Sequence, residues 1–393
     1  MKLLCVQQQF VDSGKANVIQ ISHMCAAFAE LGIDVTIAVP TNGMNAAEIM
    51  AKYEKILDKK ANFKVVTYDK RYFFGRFSAV GTYFSIRKLI KHVEVTHCYI
   101  RNSLLISIML RNKIDVIYEA HNSRIHDNHL LNILLSANLI RMSRKSGIAS
   151  FVSISQALGD YWVNRGVPKE KSIVLHDAVD TVAYEKIPDK NSLRCKLNLP
   201  IKMKIVAYTG SLYADRDIVK ILELSRLNPN VFFLVVGGPK QVATEFTSQA
   251  IAQNLNNVMF VGPVGHAEVK TYLFASDILL MIWSNRVRTM NYCSPLKVFE
   301  YMAAGKIIVG HGFQTIHEVL TDGENALLAD PDSFGELCDK LDEAIGMPEV
   351  NSLSKASRKL AFEKYSWNSR ALEILEFVKS DYQHKLNPNV KKS

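Results

Sequence analysis

The sequence predicts an α/β protein built from two parallel-sheet domains, and three observations carry that expectation. An apolar strand at residues 3–6, a polar turn holding Asp12, Ser13 and Gly14, a helical pattern through Ile19, Ile21, Met24, Phe28 and Leu31, and a second strand at 35–39 form a strand–loop–helix–strand unit. The same grammar restarts at 205–208, beyond a charged stretch bounded by Pro188 and Pro200. At 393 residues the chain is longer than one core usually serves, so two domains are expected.

Taken in order, a helix is expected over 44–60, strands at 63–67, 96–100 and 116–119, a helix over 130–145 and a strand at 149–154. A strand, helix, Gly-Val-Pro turn, strand and loop then run to Asp180. In the second half, strands are expected at 205–208, 231–236, 258–261 and 278–282, with a helix at 219–227. Apolar runs follow at 306–310, 316–320 and 326–329, and one long final helix begins at Ser333. The tail NPNVKKS reads as disordered. No internal sequence repeat is visible.

Composition narrows the class. At 48% hydrophobic and 22% charged, with no apolar run near the roughly 18 residues of a membrane span, the chain reads as soluble. MKLLCVQQQF turns polar too early for a signal peptide and reads as a first strand. Six cysteines without paired spacing (Cys5, Cys25, Cys98, Cys195, Cys293, Cys338) read as small buried apolar groups in a reducing, cytoplasmic setting. Residues 50–165 hold 19 Lys and Arg against 8 Asp and Glu, a net +11 that accounts for the whole +10 of the chain. Such a basic face suits an anionic membrane surface or an acidic substrate, which would make the protein peripheral at the inner face of a membrane. The run KRYFFGRFSAV, with Arg71 and Arg76, admits a membrane contact as readily as inward-packed aromatics under solvated cations. A nucleic-acid partner is not expected, because the cations follow no recognisable module. A dinucleotide-dependent dehydrogenase is excluded by the lone Gly14 and by Val39 being followed by Pro40.

Candidate site residues gather on loops that follow strand ends. His121, after the strand at 116–119, is well placed for a ligand, although a single histidine is commonly structural. The nearby HDNH has no partner cluster and reads as solvated helix, so no metal site is expected. In the second half, Gly210 and Ser211 with Arg216, then Gly237 with Gly238, then the loop 262–266 with Val264, each offer a handle for a nucleotide diphosphate. The run NYCSPLKVFEYMAAG completes the set: Leu296, Val298, Phe299 and Met302 have helical spacing, Ser294 is the expected N-cap, Pro295 the first helical residue and Gly305 the stop. The helix start would bind a diphosphate, and Glu300 a ribose diol. Lys297 stands either as a helper cation or as a solvated helix residue.

Taken together, SQALGDYWVNRGVPKEKSIVLHDAVD, YTGSLYADRD, VVGGP, FVGPVGHAEVKTYLFASDILL and SPLKVFEYMAAGKIIVGHGFQTIHEVLTDGENALL resemble the retaining glycosyltransferases of GT-B fold, family four, over nearly the whole chain. The resemblance implies two Rossmann-like domains facing each other across a cleft. Residues 1–183 would form the acceptor domain, 184–364 the nucleotide-sugar domain, and 365–393 a helix crossing back to the first domain with its tail. It implies transfer of a sugar from a nucleotide diphosphate sugar, UDP- or GDP-linked, to a glycan or lipid-linked acceptor in polysaccharide or glycolipid assembly, with no cofactor required. Glu300 matches the second glutamate of the family's Glu-x7-Glu motif, whereas the first is replaced by Tyr292. Ser211 stands where an arginine is usual and Arg216 where a lysine is. His121 matches the histidine at the transferred sugar, and Gly14 the glycine loop near the phosphates. By this resemblance His121 and Arg216 are the catalytic candidates, while Gly14, Gly210, Ser211, Arg216, Gly237, Gly238, Val264, Ser294, Pro295, Leu296, Lys297 and Glu300 bind the donor. Tyr292 also motivates the alternative of a nucleotide-sugar-binding protein of the same fold without transferase activity.

Overall fold

A computed structural model describes residues 1–69, 78–213, 216–287 and 289–386. Arg71, Arg76 and the tail from 387 lie outside the described residues. The chain divides into two compact units: Met1–Asp177 with Tyr292–Ser294 and Trp367–Ser393, and Ala178–Asn291 with Pro295–Ser366.

The first unit is built on seven strands: β1 (Lys2–Val6), β2 (Asp34–Thr41), β3 (Lys64–Asp69), β4 (His97–Ile100), β5 (Asp115–Ala120), β6 (Ile148–Ser153) and β7 (Ser172–Val174). They pair in parallel in the order β3-β2-β1-β4-β5-β6-β7. Strands buried on both faces read as continuous apolar runs, which is why LLCV and IASFV were legible as strands. The order reverses between β1 and β4, and in such sheets ligands bind beyond the strand C-termini near that switch. One face carries the core cluster of Leu4, Tyr118, Phe151, Leu158 and Trp162. The helix Ala16–Glu30 buries Val18, Ile21, Met24, Cys25 and Phe28 at helical spacing, and Gly32 beyond it takes φ +81°. The helix Ala46–Leu57 begins in a capping box between Asn45 and Glu48.

The second unit repeats the plan with β8 (Lys204–Thr209), β9 (Val231–Val236), β10 (Val258–Gly262), β11 (Ile278–Met281), β12 (Ile307–His311) and β13 (Leu327–Ala329). All pairs are parallel in the order β10-β9-β8-β11-β12-β13, with the switch between β8 and β11. Val206, Phe233, Leu280, Val309, Leu337 and Leu341 form part of its core.

Several expectations need correction. The single helix from Ser333 is three helices, Phe334–Gly346, Ser352–Lys364 and Trp367–Leu386. Pro348 cannot donate to a helical ladder, and Asn351 opens a new helix by accepting from Ser354 N. The apolar run 316–320 begins inside the short helix Gln314–His317. The stretch 184–200 contains the helix Lys190–Lys196, capped by Asp189. From that helix Arg194 is buried and donates to Asp277 Oδ2 at 2.5 Å and to the Ala275 and Met203 carbonyls. Helices Ser103–Arg111 and Lys240–Ala252 complete crossovers that sequence periodicity passed over.

Candidate functional site

In the second unit the loops after β8, β9 and β10 are tied edge to edge. Gly210 N donates to Val236 O at 2.9 Å, and Gly237 N to Gly262 O at 2.8 Å. Both glycines hold backbone that side-chain-bearing residues avoid, φ +137° at Gly210 and φ +118° at Gly237, and a Cβ on Gly237 would lie 2.2 Å from Gly210 O. Gly238 is equally closed, a Cβ there meeting Leu212 at 2.4 Å. Tyr208 OH donates to Ser211 O at 2.9 Å, fixing the turn from below. Val264 lies between β10 and the helix His266–Ala275, whose first turn is held by Glu268 accepting from Gly265 N.

The helix Leu296–Ala304 brings two charged groups to this region. Lys297 corrects the solvated alternative: its stem is partly exposed, but its ammonium is shut off from water, 4.0 Å from the centre of the Tyr208 ring and 5.7 Å from that of Trp283. The guanidinium of Arg216 lies 5.7 Å from the same Trp283 ring. Burial, with Arg216 nearby, lowers the Lys297 ammonium to a pKa of about 7, against a smaller opposing pull from Glu300. Glu300, one turn along, is mostly buried and faces His266, Oε1 to Nε2 3.5 Å.

The helix start departs from expectation. Pro295 is the N-cap, the first helical residue is Leu296, and the cap makes no side-chain hydrogen bond. Val298 N bonds Pro295 O at 3.0 Å, so Leu296 and Lys297 carry the amides that helix geometry leaves to another acceptor. Ser294 does not cap. Its buried Oγ accepts from Asp177 N at 2.8 Å inside the first unit, to which Tyr292–Ser294 belong. Tyr292, where a motif glutamate was missing, is a packing residue: its ring meets Tyr161 at 5.5 Å between centroids, and its carbonyl accepts from Ser155 Oγ at 2.9 Å.

In the first unit His121 follows β5, its Nε2 2.5 Å from Oε1 of the fully buried Glu119. That carboxylate oxygen also accepts from Gln20 Nε2 at 2.7 Å and from Arg370 Nη2 at 3.4 Å, with Arg101 Nη2 at 3.5 Å. Arg370, on the helix Trp367–Leu386, also donates to the His176 and Leu175 carbonyls. Burial pushes the His121 imidazolium down, Arg101 adding to it, so the ring is held neutral. Burial alone would raise Glu119, yet Arg370 and His121 hold it below its ordinary value. Asp177, buried beside the same groups, is pushed up by that burial. Gly14 ends the short turn Val11–Ser13 at φ +62°, with nothing within 4 Å of where a Cβ would stand. Glu119, Gln20, Arg101, Asp177 and Arg370 were missed from the sequence. The one signal available was Glu119 itself, a charge inside the apolar strand VIYEA.

The family model of the glycosyl transferases group 1 matches residues 189–390, about half of the chain. The chain belongs to this family. Among curated relatives, the lipopolysaccharide 1,2-N-acetylglucosaminetransferase of Salmonella typhimurium is 23% identical over 244 residues, covering 59% of this chain and 62% of the relative. The D-inositol 3-phosphate glycosyltransferase of Mycobacterium tuberculosis is 23% identical over 210 residues, 51% of this chain and 42% of the relative. The matches thus span less than two thirds of these relatives' length. Among solved structures, Anabaena Alr3699/HepE in complex with UDP and glucose superposes with a TM-score of 0.73 at 16% identity, over 97% of this chain and all of that one. WaaG, a glycosyltransferase involved in lipopolysaccharide biosynthesis, does so with a TM-score of 0.67 at 13% identity, over 96% and 99%. The likeness to these structures is one of fold, the GT-B class of two Rossmann-like α/β domains. Among the described residues no group of three or more His, Cys, Asp or Glu could hold a metal ion, and no helix is long and apolar enough to cross a membrane.

Proposed function

We propose that this chain is a retaining glycosyltransferase that takes a sugar from a UDP- or GDP-linked donor and passes it to a glycan or lipid-linked acceptor in cell-surface polysaccharide or glycolipid assembly. The observation that carries the reading is the convergence, at the C-terminal edge of the second sheet, of two interlocked glycine loops, two cations and one carboxylate. Glycine loops let backbone approach a diphosphate, Arg216 and Lys297 neutralise it, and Glu300 accepts from a ribose diol. The UDP and UDP-glucose bound by the Anabaena structures support a donor of this class.

The chemistry follows from charge. As the bond from the anomeric carbon to the diphosphate breaks, negative charge grows on the leaving oxygen, and fixed cations stabilise it more than they stabilise the intact donor. The departing phosphate can then take the proton of the incoming hydroxyl, so the absence of a carboxylate at Tyr292 does not stop the reaction. His121, held neutral with Nε2–H donating to Glu119, leaves Nδ1 for a hydroxyl of the transferred sugar. A cytoplasmic protein, peripheral at an anionic membrane through residues 50–165, fits a lipid-linked acceptor.

The test is a thermal-shift screen of UDP-, GDP- and ADP-sugars, followed by transfer assays with the donor that stabilises most. Stabilisation by one donor and turnover with an acceptor are expected. Tyr292 favours the second reading, and a donor that binds tightly with no transfer to any acceptor in a broad panel would select the non-catalytic binding protein.

A further inference from the structure

We propose that Lys297, reaching from its helix beneath Gly210 onto the Tyr208 ring, is the principal cation for the donor diphosphate, and that diphosphate binding draws a proton from solvent onto it. The proposal rests on the nucleotide-diphosphate reading above, which already includes Lys297, and adds its leading place among the cations and the proton linkage. The ammonium is buried and has no hydrogen-bond acceptor among the described residues. A buried ammonium without an acceptor is costly, and proteins retain one where a ligand completes it or where it can shed its proton. Gly210 makes the space: a Cβ there would stand 3.0 Å from Nζ. Beside Gly210 the loop itself offers the uncharged Ser211, with Arg216 further along, so the ammonium next to Gly210 comes from Lys297 on the helix.

The groups facing Lys297 set its state in the empty site. Arg216, on the loop after β8, repels the charged form, and the rings of Tyr208 and Trp283 attract it weakly. Glu300, on its own helix, attracts it but is shared with His266 from the start of the neighbouring helix. Burial dominates, so near neutral pH about half the molecules hold a neutral amine, as follows from a pKa of about 7. An arriving diphosphate brings two negative charges and restores the ammonium. One N–H bond forms at Nζ, the proton comes from buffer, and no other bond changes.

Titration calorimetry of the full chain with UDP, GDP and inorganic pyrophosphate, each in two buffers of different ionisation enthalpy, counts the protons taken up. With each probe's own phosphate titration subtracted, uptake of about 0.9 proton per site is expected at pH 8, where the terminal phosphates of UDP and GDP are ionised and pyrophosphate still carries one proton, falling to about 0.1 at pH 6. Lys297→Arg, which cannot lose its charge, should bind without uptake, and Lys297→Met should bind about 10- to 100-fold more weakly with no uptake. Binding of any probe at pH 8 without uptake, or uptake that survives in Lys297→Arg, overturns the proposal and leaves the donor reading standing. If none of the three binds, the donor reading falls and this inference with it.

Discussion

The imidazole Nε2 of His121 stands 2.5 Å from Oε1 of Glu119, a carboxylate with no exposure to solvent that also receives Gln20 and Arg370. The pair makes the stability of the first unit depend on pH. Both groups have folded values held below their ordinary ones, so their contribution to stability is present above the unfolded values and is lost as pH falls through the folded ones. The histidine begins to lose it below about pH 6.5 and the glutamate below about pH 4.3. Glu119→Gln should lower stability by about 3 to 5 kcal/mol at pH 7.5, because Arg370 loses its buried counterion. Urea unfolding across pH 3 to 8 measures both effects. A variant as stable as wild type would remove Glu119 as the organising charge.

Glu300 reaches toward His266 at 3.5 Å, a separation that leaves the carboxylate room to accept from a ligand diol. Glu300→Ala is expected to weaken binding of the preferred nucleotide sugar by about 1 to 3 kcal/mol through lost charge-assisted hydrogen bonds. His266→Ala, which removes this long contact, should cost less than about 1 kcal/mol. Calorimetry on both variants decides between a ribose contact and a merely structural carboxylate: equal affinities for Glu300→Ala and wild type would end the assignment.

What the sequence disclosed followed from period and punctuation. The strands at 231–236 and 219–227's helix were legible to the residue, because buried parallel strands and amphipathic helices declare themselves through local pattern. The break of the final helix at Pro348 was in principle legible and was passed over. The candidate donor residues were found through their loops, yet the burial of Lys297 was not, since its environment is made by Tyr208 and Trp283, residues 89 and 14 positions away in the chain. Of the cluster around Glu119 only that charge inside an apolar strand showed, for the same reason: Gln20, Arg101 and Arg370 meet it only once the sheet is assembled.

Gly237 packs against Gly210 so closely that a methyl group has no place. Gly237→Ala combines a left-handed φ of +118° with a Cβ 2.2 Å from a backbone oxygen. The loss should be about 2 to 4 kcal/mol of stability in the second unit, with weaker nucleotide binding as the two loops separate. Gly14→Ala, by contrast, meets nothing within 4 Å and bears only the cost of its φ of +62°, about 1 kcal/mol. Thermal unfolding of the two variants side by side tests the ranking, and a Gly237→Ala protein as stable as Gly14→Ala would contradict it.

Tyr292 occupies the place of a glutamate that the family resemblance leads one to expect, and the structure makes that place a packing position. Its ring lies against Tyr161, which in turn packs edge-on to the fully buried Trp162, and its carbonyl is held by Ser155 Oγ. A carboxylate there would strip the ring from this cluster and set a charge beside apolar surface. Tyr292→Glu is therefore expected to destabilise the first unit by about 2 to 4 kcal/mol and to leave turnover no higher than wild type, whereas Tyr292→Phe should change stability by less than about 1 kcal/mol. Unfolding and transfer assays on both variants discriminate the possibilities. A stable Tyr292→Glu enzyme with raised kcat would mean that the position is an unfilled catalytic site, and that the leaving diphosphate does not carry the reaction unaided.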